Sequence, residues 1–303
     1  MGPADWVYLN GSFCHAASAA ISPFDRGFLF AHAAYEVTSV FDGRLIDFTG
    51  HVARLQRTLL GIDIETDWDR ERLEALHLDL LRRNNVSEGF VYLQVTGGAY
   101  GNRDFGGPET LKPGLFLFCE ARRLIGEKAR DGVAAILVED QRWKRRDYKT
   151  TQLLAQALAY RDAAKAGASS AILHEDGMVT EAASANLWVV TEDGTLITRN
   201  LGHQILPGVT RQSILDRLAG SGLAVEERAI AVQELRTARE VFTTATTSMV
   251  LPVVTLDGRP VADGKPGPVT RHVQGLYYRA IGADIDARAP WLNAFPGSLG
   301  SKP

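Results

Sequence analysis

Asx–Gly pairs at positions 10–11, 42–43, 176–177 and 193–194 limit the folds open to this chain more than any other feature. Each pair lies between short runs of apolar, β-branched or aromatic residues. A two-residue hairpin turn of type I′ needs positive φ at both central residues, which Asn, Asp and Gly tolerate best. The pairs therefore predict a strand over 6–9 turning at Asn10-Gly11, a hairpin over 35–48, and two hairpins in the second half. Hairpins at this density point away from a doubly wound parallel sheet.

Helical spacing alternates with these strands. Thr49 is placed to cap a helix carrying Val52, Leu55, Leu59 and Leu60, and a second helix over 67–83 presents Leu73, Leu76 and Leu80. Strands are expected at 90–96 and 114–119. The second half reads as strand 133–138, helix 153–166, helices 211–221, 232–239 and 268–282, and strands 240–244 and 251–256. Strands and helices are mixed in both halves, so the fold class is α+β. A length of 303 residues exceeds what one core usually organises. The expected division is an N-terminal domain 1–120, a charged linker 121–131, a C-terminal domain 132–283 and an irregular arm 284–303.

Composition narrows the function. Hydrophobic residues make up 45% and charged residues 23%, as in a soluble globular protein. A net charge of −3 offers no reason for a nucleic-acid or membrane partner. No apolar run nears the roughly 20 residues of a membrane span. The first residues lack the basic and then apolar pattern of a signal peptide, so a cytoplasmic protein is expected. Cys14 and Cys119 sit in apolar stretches without a CxxC neighbour and read as reduced core thiols.

Four places could carry chemistry. Lys149 ends Arg145-Arg146-Asp147-Tyr148-Lys149 just before an apolar helix. A lysine in a pocket beside other cations can form a Schiff base with an aldehyde, although alone such a lysine is more often surface charge. Glu181 follows a hairpin strand among small residues. It is either an exposed strand-end carboxylate or an inward one kept ionised by a cation. Leu206-Pro207-Gly208-Val209-Thr210-Arg211 precedes a helix, and its N–H groups with the Thr210 hydroxyl suit a phosphate as well as an ordinary cap. The hydroxyls of 243–248 follow a strand and read equally as a threonine-rich β segment. His32 and His51 read as structural hydrogen-bonding residues. No metal-ligand spacing occurs, and Gly97-Gly98-Ala99-Tyr100-Gly101 follows no nucleotide-binding pattern.

In this order the segments resemble one family. Asp25-Arg26-Gly27-Phe28, Tyr35-Glu36-Val37, Asp147-Tyr148-Lys149, 180–186, 206–211 and 244–247 together are similar to the class IV aminotransferases, fold-type IV pyridoxal-phosphate (PLP) enzymes, over about residues 6–281. The resemblance implies a two-domain fold of the D-amino-acid aminotransferase type, a homodimer, and a ping-pong transfer of an amino group from a D-amino acid to a 2-keto acid. It assigns Lys149 to the cofactor's aldehyde and to the proton shuttle, and Glu181 to the pyridine nitrogen. Arg54, Val209, Thr210 and Thr246 take the phosphate, Leu206 packs on the ring, and Ser184 lies near the cofactor's active face. Tyr35 and Arg103 face the substrate. There are departures: Gly97 stands where arginine is usual after Thr96, His32 where aspartate is common, and the Arg-x-His carboxylate trap becomes Arg103-Asp104-Phe105. The remodelled pocket leaves an (R)-selective amine:pyruvate transaminase as the alternative. A branched-chain aminotransferase and an aminodeoxychorismate lyase are further ones.

Overall fold

In a computed structural model, which describes residues 5–108, 110 and 112–294, the chain forms two compact units. The first comprises residues up to Leu124 together with Tyr148–Leu153, and the second comprises Ile125–Asp147 and the chain from Leu154 onward. The crossing at Leu124 falls inside the charged stretch expected to link two domains. That stretch is not an extended linker, because Glu120 and Ala121 finish a strand and Glu127–Asp131 is helical. The expectation of an unbroken second domain over 132–283 needs correction, since the segment carrying Lys149 belongs to the first unit.

The first unit runs β1 (Trp6–Leu9), β2 (Ser12–His15), α1 (Arg26–Phe30), β3 (Ala33–Phe41), β4 (Arg44–Leu45), α2 (Phe48–Gly61), α3 (Arg70–Asn84), β5 (Gly89–Thr96) and β6 (Gly114–Ala121). Its strands form an antiparallel sheet in the order β2-β1-β6-β5-β3-β4. At the Asp42-Gly43 turn both residues adopt positive φ, 49° and 73°, as the type I′ hairpin requires. One sheet face supplies Val91, Leu93, Val95, Leu115, Leu117 and Cys119 to a core shared with Val52, Leu55, Leu59, Leu73 and Leu80 of α2 and α3. Burial pushes the Cys119 thiol up to about 11, so it is an inert core group. Cys14 is half-buried.

Two helix details differ from the sequence pattern. Helix α2 begins at Phe48 behind Asp47, with no side-chain cap, rather than behind Thr49. Leu60 also leaves the buried face and is 82% exposed, because residues 52, 55 and 59 already complete that stripe. The other helix is capped by Asp69, whose carboxylate accepts from Arg72 N.

The second unit continues with α4 (Glu127–Asp131), β7 (Val133–Glu139), α5 (Leu154–Lys165), β8 (Ser170–Glu175), β9 (Met178–Ala182), β10 (Asn186–Val190), β11 (Leu196–Thr198), α6 (Val209–Leu218), β12 (Val225–Glu227), β13 (Ile230–Ala231), α7 (Val232–Arg236), β14 (Glu240–Ala245), β15 (Met249–Leu256), β16 (Arg259–Pro260), α8 (Pro268–Ala280) and α9 (Ile285–Arg288). Its mixed sheet has the order β12-β11-β10-β14-β15-β7-β8-β9-β13, with β16 paired to β15. The Asp176-Gly177 turn joining β8 to β9 again has positive φ at both residues. The arm expected to be irregular holds α9 and a short 3-10 turn, with Ile285, Ala289 and Leu292 buried and Trp291 Nε1 donating to Gln274. Residues 295–303 of that arm lie outside the described residues. Among the described residues no helix is long and apolar enough to cross a membrane.

The two leucines separate packing from pattern. Leu80→Ala, in the core, should destabilise the protein by about 2–5 kcal/mol in urea unfolding, and Leu60→Ala by less than about 0.5 kcal/mol. Equal losses would contradict this placement of α2.

Candidate active site

In the first unit, the Lys149 segment is held by backbone. Tyr35 N donates to Lys149 O (3.0 Å), Thr151 N donates to Ala33 O (3.1 Å), and Thr150 bridges to Ala34. This pairing occupies the edge of β3 that β4 leaves open, since β4 reaches only Val40 and Phe41. Lys149 N also donates to Thr58 Oγ1 on α2 (3.2 Å). Gly61 makes room for the neighbouring Tyr148 ring, because a Cβ there would approach it to 2.1 Å. The half-buried Lys149 side chain ends with Nζ 4.1 Å from the Tyr35 ring centroid. Among the described residues the amine has no ion pair or hydrogen bond, so it is available for covalent chemistry. Tyr35 stacks in turn on Tyr92 (5.5 Å).

Arg54, on α2, is buried and gripped by Glu36 of β3. Nε donates to Oε1 (2.7 Å) and Nη2 to Oε2 (2.8 Å), a fork-on-fork pair. His51, one turn earlier, donates Nδ1–H to Oε2 (2.8 Å). Burial alone would raise the Glu36 carboxyl. The Arg54 charge and hydrogen bonds, joined by His51, outweigh it and hold the group at about 2. Burial pushes His51 down. Sequence reading assigned no role to Glu36, although it stands inside the motif Tyr35-Glu36-Val37.

In the second unit, Glu181 sits on β9 and points inward. Oε1 accepts from Arg142 Nη1 (2.6 Å) and Leu206 N (3.2 Å), and Oε2 accepts from Asn186 Nδ2 (2.9 Å). Burial pushes this carboxyl up, opposed first by the Arg142 charge. Every recorded partner is a donor, so the surroundings are built for the carboxylate form. Arg142 also donates to both oxygens of buried Asp140, which accepts from Thr180 Oγ1 (2.6 Å). The inward orientation with a cationic partner, one of two left open by the sequence, is thus the one adopted. The partner Arg142 was missed, because an arginine among several basic residues carries no signal of its own. Arg145 and Arg146, expected to crowd the lysine, pair with Asp147 (3.0 Å) and Glu175 (2.8 Å).

The helix α6 starts at Val209, two residues earlier than its spacing predicts. Gly208 is its N-cap and supplies no side-chain cap, so the first N–H groups stay open for an anion. A Cβ at Gly208 would lie 1.9 Å from Asn186 Oδ1, so only glycine lets the chain pass there. Leu206 O accepts from Asn186 Nδ2 (2.8 Å), which ties this loop to the start of β10. Thr210 is buried and Thr246 half-buried in the turn after β14. Ser184 is exposed, its hydroxyl 2.5 Å from Tyr160. Arg103 lies on an exposed loop of the first unit, 4.9 Å from the Phe105 ring centroid and 5.7 Å from that of Phe30. Both sequence-singled histidines are hydrogen-bonded, His32 to Arg26 and to Ile62 O. Among the described residues no group of His, Cys, Asp and Glu is placed to hold a metal ion.

The model of the amino-transferase class IV family matches residues 33–256, most of the chain. The chain belongs to the class IV aminotransferases. These are PLP enzymes. The chain is 36% identical to a D-alanine aminotransferase of Staphylococcus haemolyticus over 276 residues, 91% of this chain and 97% of that one. A D-alanine aminotransferase of Listeria innocua is 34% identical, with 91% and 96% covered. Among solved structures, the branched-chain amino acid aminotransferase of Escherichia coli superposes with a TM-score of 0.84 at 21% identity, covering 91% of this chain and 94% of that one. A hypothetical aminotransferase of Mycobacterium tuberculosis in its PLP-bound form gives 0.80 at 22% identity, with 91% and 99% covered. At such identities the solved structures speak for the two-domain fold-type IV architecture alone.

Glu36→Gln would leave Arg54 buried without its counter-charge. It should cost about 3–5 kcal/mol in urea unfolding at neutral pH. The folded carboxyl lies at about 2 and the free one at 4.5, so its stabilisation is complete above the free value and is lost as pH falls toward the folded one. The gap between the wild type and the variant should therefore narrow below pH ~4. A gap unchanged down to pH ~2.5 would show that Glu36 does not titrate as the structure requires.

Proposed function

We propose that this aminotransferase takes the amino group of a D-amino acid and passes it to a 2-keto acid in a ping-pong reaction. The observation carrying this reading is its 36% identity to a D-alanine aminotransferase along nearly the full length of both chains. The retained Lys149, Glu181, Arg54 and Thr210 agree with it.

Lys149 holds the cofactor through Nζ. The same nitrogen would be the base that takes and moves the proton of the donor's Cα. Bound PLP supplies a ring that draws electrons from the donor's Cα, which makes that proton removable. Glu181 pairs with the pyridine nitrogen. Oε1 already accepts from Arg142 and Leu206, so Oε2, with Asn186 as its one donor, is the oxygen left for a ring N–H. Arg54, Val209, Thr210 and Thr246 bind the phosphate, and Leu206 and Ser184 line the ring. Tyr35, which carries Lys149 on its face, borders the substrate, and Arg103 receives its carboxylate.

The protein acts as a cytoplasmic homodimer. Phe28, Phe105 and Ile21, exposed on the first unit by 76%, 72% and 53%, are apolar groups that a second copy would cover.

The test is the visible absorbance of the PLP-loaded protein mixed separately with D-alanine, L-alanine and (R)-1-phenylethylamine. The band should fade with D-alanine, with pyruvate released, and persist with L-alanine. Fading with the amine alone would transfer the assignment to an (R)-selective amine transaminase. Lys149→Ala should lower turnover by at least on the order of 10³.

A further inference from the structure

Arg26 is a buried arginine on α1, and among the described residues it has no carboxylate partner. Its guanidinium is directed at a loop instead. Nη1 donates to Asp104 O (2.8 Å), Nη2 to Phe105 O (2.9 Å) and Nε to His32 Nδ1 (3.1 Å). The other His32 nitrogen, Nε2, donates to Ile62 O (2.8 Å), which fixes the tautomer with Nδ1 as acceptor. A buried cation balanced by carbonyl and imidazole dipoles and an aromatic ring, rather than by a carboxylate, is costly. Such an arrangement is expected where the charge or the held geometry serves function.

The held geometry reaches Arg103. The Phe30 and Phe105 rings pack with centroids 5.1 Å apart. Arg26 lies 5.1 Å from the Phe30 centroid, and Arg103 contacts both rings. The same short segment anchors the lysine strand, because Thr151 Oγ1 donates to Ala31 O (3.3 Å). The loop leaves Thr96, directly opposite Ala33 in the sheet. One turn of chain therefore ties both the reactive amine and the Arg103 loop to the first strands.

Two of the departures from the family pattern, at His32 and Gly97, are also one change. A Cβ at Gly97 would come 2.7 Å from His32 Nδ1, so a side chain at 97 is incompatible with the imidazole that accepts from Arg26. With arginine lost at 97, the Arg26–His32 pair builds this wall of the loop.

We propose that Arg26, with His32 as its acceptor, is the positioning residue that presents Arg103 to the carboxylate of the amino donor. This rests on the assignment of Arg103 to that carboxylate. Lysine at 26 keeps the charge but not the fork that reaches two carbonyls. A Cβ at Gly107 would lie 3.0 Å from Arg26 Nη1 at a φ of +72°, so Gly107→Ala disturbs the same contact from the loop side.

The experiment is a double-mutant cycle on the PLP-loaded enzyme with D-alanine, combined with hydrogen exchange over residues 100–107. Arg26→Lys, Gly107→Ala and Arg103→Ala should each raise KM about tenfold with kcat within about twofold. Arg26→Lys combined with Arg103→Ala should be no worse than Arg103→Ala alone. Exchange in the loop should rise in the Arg26 and Gly107 variants while β3 and β5 stay protected. Multiplying KM effects, or unchanged loop exchange, would overturn the positioning role and leave Arg103 standing. An unchanged KM in Arg103→Ala would overturn the Arg103 assignment, and the proposal with it.

Discussion

The structure around Lys149 depends on one short backbone pairing. Residues 149–151 hydrogen-bond along the open edge of β3, through Tyr35 N, Ala33 O and the Ala34–Thr150 bridge. A free strand edge needs partners for its N–H and C=O groups, and this segment supplies them. The pairing draws Tyr148–Leu153 out of the second unit and makes it part of the first. It also sets the side-chain register. Tyr35 and Lys149 share one hydrogen bond, so the amine must lie near the Tyr35 ring, and the Thr58 hydroxyl on α2 holds the lysine's own N–H.

Each unit, taken by itself, buries a carboxylate and surrounds it with donors. Glu36 takes the Arg54 fork and His51, while Glu181 takes Arg142, Asn186 and Leu206 N. The outcomes differ in direction: donors prevail over desolvation at Glu36, and desolvation prevails at Glu181. The physical cause is the donor set. Glu36 receives two bonds from one guanidinium plus an imidazole N–H. Glu181 receives a single guanidinium N–H and two neutral amides, and it shares Arg142 with Asp140. Neither pair is a cheap source of stability. Each instead fixes the orientation of the side chains it joins.

Much of this was legible in the chain itself. Asp42-Gly43 and Asp176-Gly177 turn as their chemistry demands, and the apolar spacing of α2 and α3 locates the first core. The motif order from Asp25 to Thr247 carried the family assignment. The pattern failed at Leu60 and Thr49, where one residue of helical phase or cap position is decided by packing rather than by spacing.

What the sequence determined by itself was local or ordinal: turn positions, strand and helix types, and the succession of motifs that marks a class IV aminotransferase. Tertiary structure alone decided which side chains meet. The Glu36–Arg54 clamp spans 18 positions, Arg142–Glu181 39 and the Arg26 hold on Phe105 79. Contacts at such separations are set by sheet register and loop path, and no short-range pattern encodes them. The steric exclusion between His32 and Gly97 belongs to the same class. In the chain they are two unrelated departures, and only the fold places the His32 ring where a Cβ at 97 would come 2.7 Å from it.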